Sequence, residues 1–334
     1  MILAGIDIGT NTLRLLVAET GSDSFHEIYA ERRITRLGQD LDRTGSLSPD
    51  AEERSVRALL DFTEHIHRYA PHHISAIGTS ALRNASNSSS FIDDVKKRTG
   101  LDISVISGED EARLTLMGVA RAISGAQKRK NHLHNALVID IGGGSTEIII
   151  TCAHHAPDLV SLPLGAVYLT ERFIKHDPPS AEELGLLRHT VRDVLDRSAW
   201  MLHPNPSCTL IGTAGTITTL AAIDQGLVVY DPERINRSVL TRDALDDIVQ
   251  RLSVLTLAER RTIRGLERGR EDIILAGAIV AQEIMKRFAY TSMLASDGGL
   301  REGIILDLYE RIKRSVDPLR TQRQQGSKRE HREE

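Results

Sequence analysis

Cysteine is nearly absent from this chain. The two present, Cys152 and Cys208, are too few and too far apart for a disulfide framework or a zinc site, so the expected setting is reduced and cytoplasmic. No apolar run approaches membrane-spanning length, and the N-terminus leads almost at once into a strand with no basic leader ahead of it. The reading is a soluble protein with no membrane partner. An excess of positive charge is also missing, since 42 basic residues face 46 acidic ones for a net charge of −4. General affinity for nucleic acid is therefore not expected, and a polyanionic ligand would need a local positive field built from arginines. At 334 residues the chain is long enough for two domains with separate cores.

What the chain does carry is concentrated in Val138–Ile150, where two β-branched runs are joined by Gly142, Gly143 and Gly144 and flanked by two carboxylates, Asp140 and Glu147. The pattern predicts a β-hairpin. With the turn centred between Gly143 and Gly144, the two acids lie directly opposite each other, with Cβ atoms roughly 4.5–5.5 Å apart. Like charges so placed repel, and a cation or a shared proton relieves them; a hard oxygen-binding ion such as Mg²⁺ fits best. Glycines without side chains let the turn amides approach an anion, and Ser145 and Thr146 add hydroxyl donors. Metal plus amide cradle points to phosphate. Residues 5–17 repeat the pattern, with Asp7, Gly9, Thr10 and Asn11 in the turn and Arg14 opposite Asp7. Two phosphate hairpins imply two facing domains.

Such paired loops resemble the actin, hexokinase and Hsp70 ATPase superfamily, whose two RNase H-like domains clamp phosphates between them. Further segments narrow the resemblance. Gly78–Ala85, Ile106–Arg113, Leu162–Ala166, Gly212–Thr216 and Asp297–Gly303 are similar to motifs of the exopolyphosphatase and guanosine pentaphosphate phosphohydrolase family, in family order from about residue 4 to about residue 305. The implied fold is α/β, with domain I at 1–121 plus 300–317 and domain II at 122–299. Residues 318–334 are polar and charged, and disorder is expected there. Longer family members carry an additional helical C-terminal module, which this chain is expected to lack. A homodimer is consistent with the resemblance alone.

Arg83 follows a short buried strand, at the end where open α/β sheets hold their ligands, and a guanidinium there can grip two phosphate oxygens at once. Glu109, Asp110 and Glu111 open a helix whose dipole they complement; the resemblance singles out Glu111, just before Ala112-Arg113, as the carboxylate that orients and deprotonates the attacking water. Gly212, Thr213 and Gly215 form a strand–turn–helix step suited to an anion, though without the lysine of a Walker loop. Arg36 closes a strand, with cleft and surface positions both open to it. Arg264, Arg268 and Arg270 could guide a polyanion, with a solvated loop as the plainer reading. His132, His134, His154 and His155 read as solvated, since nothing nearby completes a ligand set. The helix after Glu111 places one apolar stripe on Leu116, Val119, Ala120 and Ile123 and is expected to bridge the domains.

The mechanism expected from this inventory is positioning and charge stabilisation. Amides of Gly9, Thr10, Asn11 and Gly142 to Ser145 grip the terminal phosphate, Arg83 neutralises it, Mg²⁺ near Asp140 and Glu147 polarises it, and Glu111 acts on water. Removal of terminal phosphate from inorganic polyphosphate leads. Conversion of guanosine pentaphosphate to tetraphosphate, a kinase or ATPase on the same clamp, and a non-catalytic polyphosphate or alarmone sensor remain open.

Overall fold

The computed structural model describes residues 1–21, 25–124, 133, 135–152, 155–198 and 208–316. The expected tail at 318–334, the histidines His132, His134 and His154, and part of the polar loop before the central hairpin lie outside them. The first sheet begins with β1 (Ile2–Ile8), β2 (Thr12–Thr20) and β3 (Phe25–Ile34), antiparallel neighbours in sequence order. A short α1 (Leu41–Thr44) precedes α2 (Pro49–Tyr69), which starts where Ser48 Oγ accepts the Ala51 N–H with proline at the first turn. Next come β4 (His73–Gly78), α3 (Ser80–Asn84), α4 (Ser88–Thr99), β5 (Ile103–Val105) and α5 (Gly108–Ser124). β4 and β5 run parallel, giving the order β3-β2-β1-β4-β5. Phe62 and Ile66 of α2 and Phe91 of α4 pack with the β1 and β2 side chains in one core.

The second sheet repeats the beginning of the first. β6 (Ala136–Ile141), β7 (Thr146–Cys152) and β8 (His155–Leu162) are antiparallel, and are followed by α6 (Ala166–Phe173) and α7 (Ala181–Ser198). After β9 (Thr209–Thr213) and the largely buried α8 (Ala214–Asp224) come α9 (Pro232–Ile235), β10 (Val239–Thr241), α10 (Arg242–Val254), α11 (Leu257–Arg260), α12 (Ile274–Arg287), β11 (Ser292–Ala295) and α13 (Leu300–Val316). The order is β10-β11-β9-β6-β7-β8. α12 is apolar nearly all round because it is enclosed, with Ile274 through Met285 all buried and its apolar side chains in the larger core.

α5 and α13 lie between the sheets. α13 packs on β1, β2 and β4, and α5 packs on α13 and on β7 and β8. Ala112, Val119 and Ile123 of α5 share a core with Val138, Ile149 and Ile211, while Leu114 packs with Ile77, Leu300 and Ile304. α5 thus buries two faces rather than the single stripe expected, because it is enclosed on both sides; Leu116 and Ala120 are only partly buried. The helices touch through glycine. A Cβ on Gly303 would fall 1.9 Å from the Leu114 carbonyl oxygen, and one on Gly118 1.9 Å from that of Gly299. Among the described residues no helix is long and apolar enough to cross a membrane.

Candidate active site

Both hairpins pair as their symmetry predicts, Asp7 opposite Arg14 and Asp140 opposite Glu147. The first turn closes with Gly9 N–H donating to Thr12 O (3.2 Å) and the second with Gly142 N–H donating to Ser145 O (3.0 Å). The amides of Gly9 and Gly142 are therefore engaged within the turns, although both residues line the cavity between them. Those of Thr10, Asn11, Gly143 and Gly144 form no such backbone bond among the described residues. The turns face each other: a Cβ on Gly144 would lie 2.5 Å from Ser80 Oγ and 2.7 Å from Thr10 Oγ1. Glycine is required by this approach of two domains.

Around the turns is a cavity of about 450 Å³ whose wall includes Asp7, Thr10, Asn11, Glu111, Asp140, Gly142, Gly143, Gly144, Ser145, Thr213 and Gly215. Gly212 lies outside this wall, unlike Thr213 and Gly215 beside it. It sits in β9, where a Cβ would meet Met293 Sδ at 2.5 Å, so its smallness serves core packing. Thr213 Oγ1 donates to Gly298 O (2.9 Å), and Ala214 beside it takes the left-handed conformation (φ 67°), a strained geometry for a residue with a Cβ.

Of the three acids opening α5, Glu109 and Asp110 are exposed and Glu111 is buried. Burial raises the Glu111 carboxyl to about 7, with Arg83 pulling it down and Asp140 and Asp7 pushing it up. Arg83 Nη1 donates to Glu111 Oε2 (2.9 Å) and to the Ile106 carbonyl (2.9 Å). Arg83 is thus held behind the wall as the partner of Glu111, a contact that its sequence position did not disclose. Asp140 is raised to about 6, first by burial, and accepts from Thr115 Oγ1 at 3.0 Å. Glu147 is 1% exposed, also behind the wall, and accepts from Ser161 Oγ at 2.7 Å. Burial holds its carboxyl well above the usual range, reinforced by the charges of Glu111 and Asp140. Thr115 and Ser161 carry no motif signal; only the packing of α5 and β8 against the hairpin brings them in.

The expected local positive field takes a different form. The wall holds four arginines, Arg14, Arg32, Arg270 and Arg301, against seven carboxyls: Asp7, Glu27, Glu31, Glu111, Asp140, Asp297 and Glu302. A polyanion is compatible with such a lining only if some acids are protonated or neutralised by a cation. Two buried acceptors in the wall, Asp7 Oδ1 and Asn11 Oδ1, lack a hydrogen-bond partner among the described residues. No cage of three or more His, Cys, Asp or Glu side chains exists there among the described residues. Mg²⁺ does not need one, since it binds through one or two carboxylates, waters and substrate phosphates, so the oxygen donors present fit it.

Arg270 departs from the solvated-loop reading. It is 5% exposed, whereas Arg264 and Arg268 are exposed. A Cβ on Gly215 would fall 2.2 Å from Arg270 Nη2, so Gly215 leaves the guanidinium its space. Arg36, left-handed at φ 53°, donates from Nη1 to Asp272 Oδ2 (2.6 Å) and from Nη2 to Gly269 O (3.0 Å), tying the first sheet's side to the second's. In the first turn of α13, Glu302 accepts the Gly299 N–H (2.7 Å) and pairs with Arg301. His155 is exposed.

The chain resembles known proteins along nearly its whole length. A family model described as the Ppx/GppA phosphatase family matches residues 16–312. Exopolyphosphatase 2 of Mycobacterium tuberculosis is 33% identical over 92% of this chain and 98% of its own. The crystal structure of the Aquifex aeolicus Ppx/GppA family member, 31% identical, superposes with a TM-score of 0.77 over 93% of this chain and 98% of that one. An exopolyphosphatase from Cytophaga hutchinsonii, 28% identical, gives 0.83 over the same shares. With two sheets, paired glycine turns and family motifs in order, this chain belongs to the Ppx/GppA phosphatase family.

Proposed function

We propose that this protein is an exopolyphosphatase that releases the terminal phosphate of inorganic polyphosphate by attack of water. The observation that carries the reading is the meeting of two glycine-bearing turns, one from each sheet, beside the buried Glu111 in one cavity. The amides of Thr10, Asn11, Gly143 and Gly144, which make no backbone bond among the described residues, would bind the terminal phosphate oxygens, and donors already fixed in the fold would stabilise charge developing there. Glu111, held by Arg83, takes a proton from the attacking water. The new bond forms between water oxygen and terminal phosphorus, and the bridging P–O bond breaks toward the shortened chain. That chain departs as an anion, so no general acid is required. Asp140, in the wall, would hold Mg²⁺ with Glu147 directly opposite it in the hairpin as the supporting carboxyl; when bound, the ion supplies positive charge for polarising the phosphate.

The test is phosphate release from short and long polyphosphate, guanosine pentaphosphate and ATP, with Mg²⁺ present and then chelated. Metal-dependent release from polyphosphate is expected. Release from guanosine pentaphosphate alone would move the assignment to alarmone hydrolysis, release from ATP alone to the kinase or ATPase class, and binding without release to a sensor.

A further inference from the structure

We propose that Glu267 is a positioning residue that sets Arg32 and Arg270, one from each side of the cleft, as a single two-guanidinium fork for phosphates beyond the terminal one. The inference rests on the polyphosphate reading above. Arg32 stands on β3 of the first sheet, Arg270 in the segment before α12, and both belong to the cavity wall, whereas Glu267 does not. Glu267 reaches both: Oε1 forms an ion pair with Arg32, 3.0 Å from Nε, and Oε2 accepts from Arg270 Nε at 2.6 Å. In each arginine the carboxylate lies at the Nε edge, which leaves the terminal nitrogens of Arg32 and Nη1 of Arg270 to meet another anion. A second contact fixes each guanidinium. Arg32 Cζ lies 5.0 Å from the Tyr230 ring centroid, and Arg270 Nη2 fills the space beside Gly215, 3.5 Å from Thr12 Oγ1. Arg14 adds its positive charge to the same carboxylate's surroundings.

The sign of one effect separates positioning from plain electrostatics. Deleting a negative charge beside an anion site strengthens anion binding if charge alone acts. If Glu267 instead orders the fork, its neutralisation weakens binding. The experiment is steady-state kinetics on tripolyphosphate and long-chain polyphosphate for the intact protein, Glu267→Gln, Arg32→Gln and the double variant, with melting temperatures recorded. We expect Glu267→Gln to raise KM for the long chain at least fivefold while kcat stays within twofold. Its increment is expected to shrink in the Arg32→Gln background, because both substitutions disable one fork. An unchanged or lowered KM, or a loss confined to kcat, overturns the assignment. Should Glu267→Gln not fold, Arg32→Gln at a half-exposed position on an edge strand carries the test alone: a raised KM supports the fork and an unchanged KM overturns it. If the unmutated protein releases no phosphate from any polyphosphate, the parent reading falls and the fork with it, a result distinct from a variant that matches the parent.

Discussion

Glu111 sits 2.9 Å from Arg83 and is nonetheless raised to about 7, because burial outweighs the guanidinium's pull. A carboxylate so poised gains its base form near neutral pH, where a general base is most effective. The acid limb of the kcat/KM profile is therefore expected near pH 7. Arg83→Gln removes the group that lowers this carboxyl, so the limb is expected to move to higher pH; a pH–rate profile of the variant checks the direction. Glu111→Gln keeps the size and loses the base. A fall in kcat of about 10²–10⁴-fold is expected, with circular dichroism unchanged. Activity near that of the parent would remove Glu111 from the role.

At the scale of elements, the α5–α13 crossing depends on glycines that no side chain can replace without movement. A methyl group at Gly303 would enter the Leu114 carbonyl oxygen, a backbone atom with no rotamer to yield. Gly303→Ala is expected to cost about 1–3 kcal/mol of stability, as overpacking of a tight contact does, and urea denaturation reads it as a lower midpoint. Because α5 carries Glu111 and Thr115 while α13 begins directly after the Asp297–Gly299 turn, strain here is also expected to lower kcat/KM. The hairpin elements behave differently. Their registers were legible in sequence because the pairing of strands across a tight turn is set locally, by turn length and alternation. Asp140 with Glu147 and Asp7 with Arg14 follow directly.

Across the whole molecule, the buried acids set a pH dependence of stability. Glu111 and Asp140 have ordinary values of 4.5 and 3.8 in the unfolded chain and are raised to about 7 and 6 when folded. Their contribution is fully present below the unfolded values and is lost as pH rises through about 6 to 7, because the folded state then has to bury charge. With divalent metal chelated, the melting temperature is expected to fall between pH 5 and 8 by this term, and in Glu111→Gln the fall is expected to be shallower. The Arg36–Asp272 bridge also acts at this scale. Both partners are about a third exposed, so Arg36→Ala is expected to change stability by less than about 1 kcal/mol. It removes a tie across the cleft, however, and kcat/KM is expected to fall severalfold with the melting temperature nearly unchanged.

The sequence by itself determined what depends on neighbours along the chain: two glycine-turn hairpins with facing charges, the capped start of α2, the motif order, and through these the α/β class and the family. Tertiary structure decided what depends on residues far apart. Three consecutive acids looked alike until the enclosure of α5 buried Glu111 and left Glu109 and Asp110 in water. Three arginines of one loop looked alike until Gly215 made room for Arg270 alone. Gly212 stood in a plausible anion turn, yet Met293 and Ile217 claimed its surface for the core. Burial and desolvation arise from packing between elements far apart in the chain, and a local pattern carries no record of which partner will arrive.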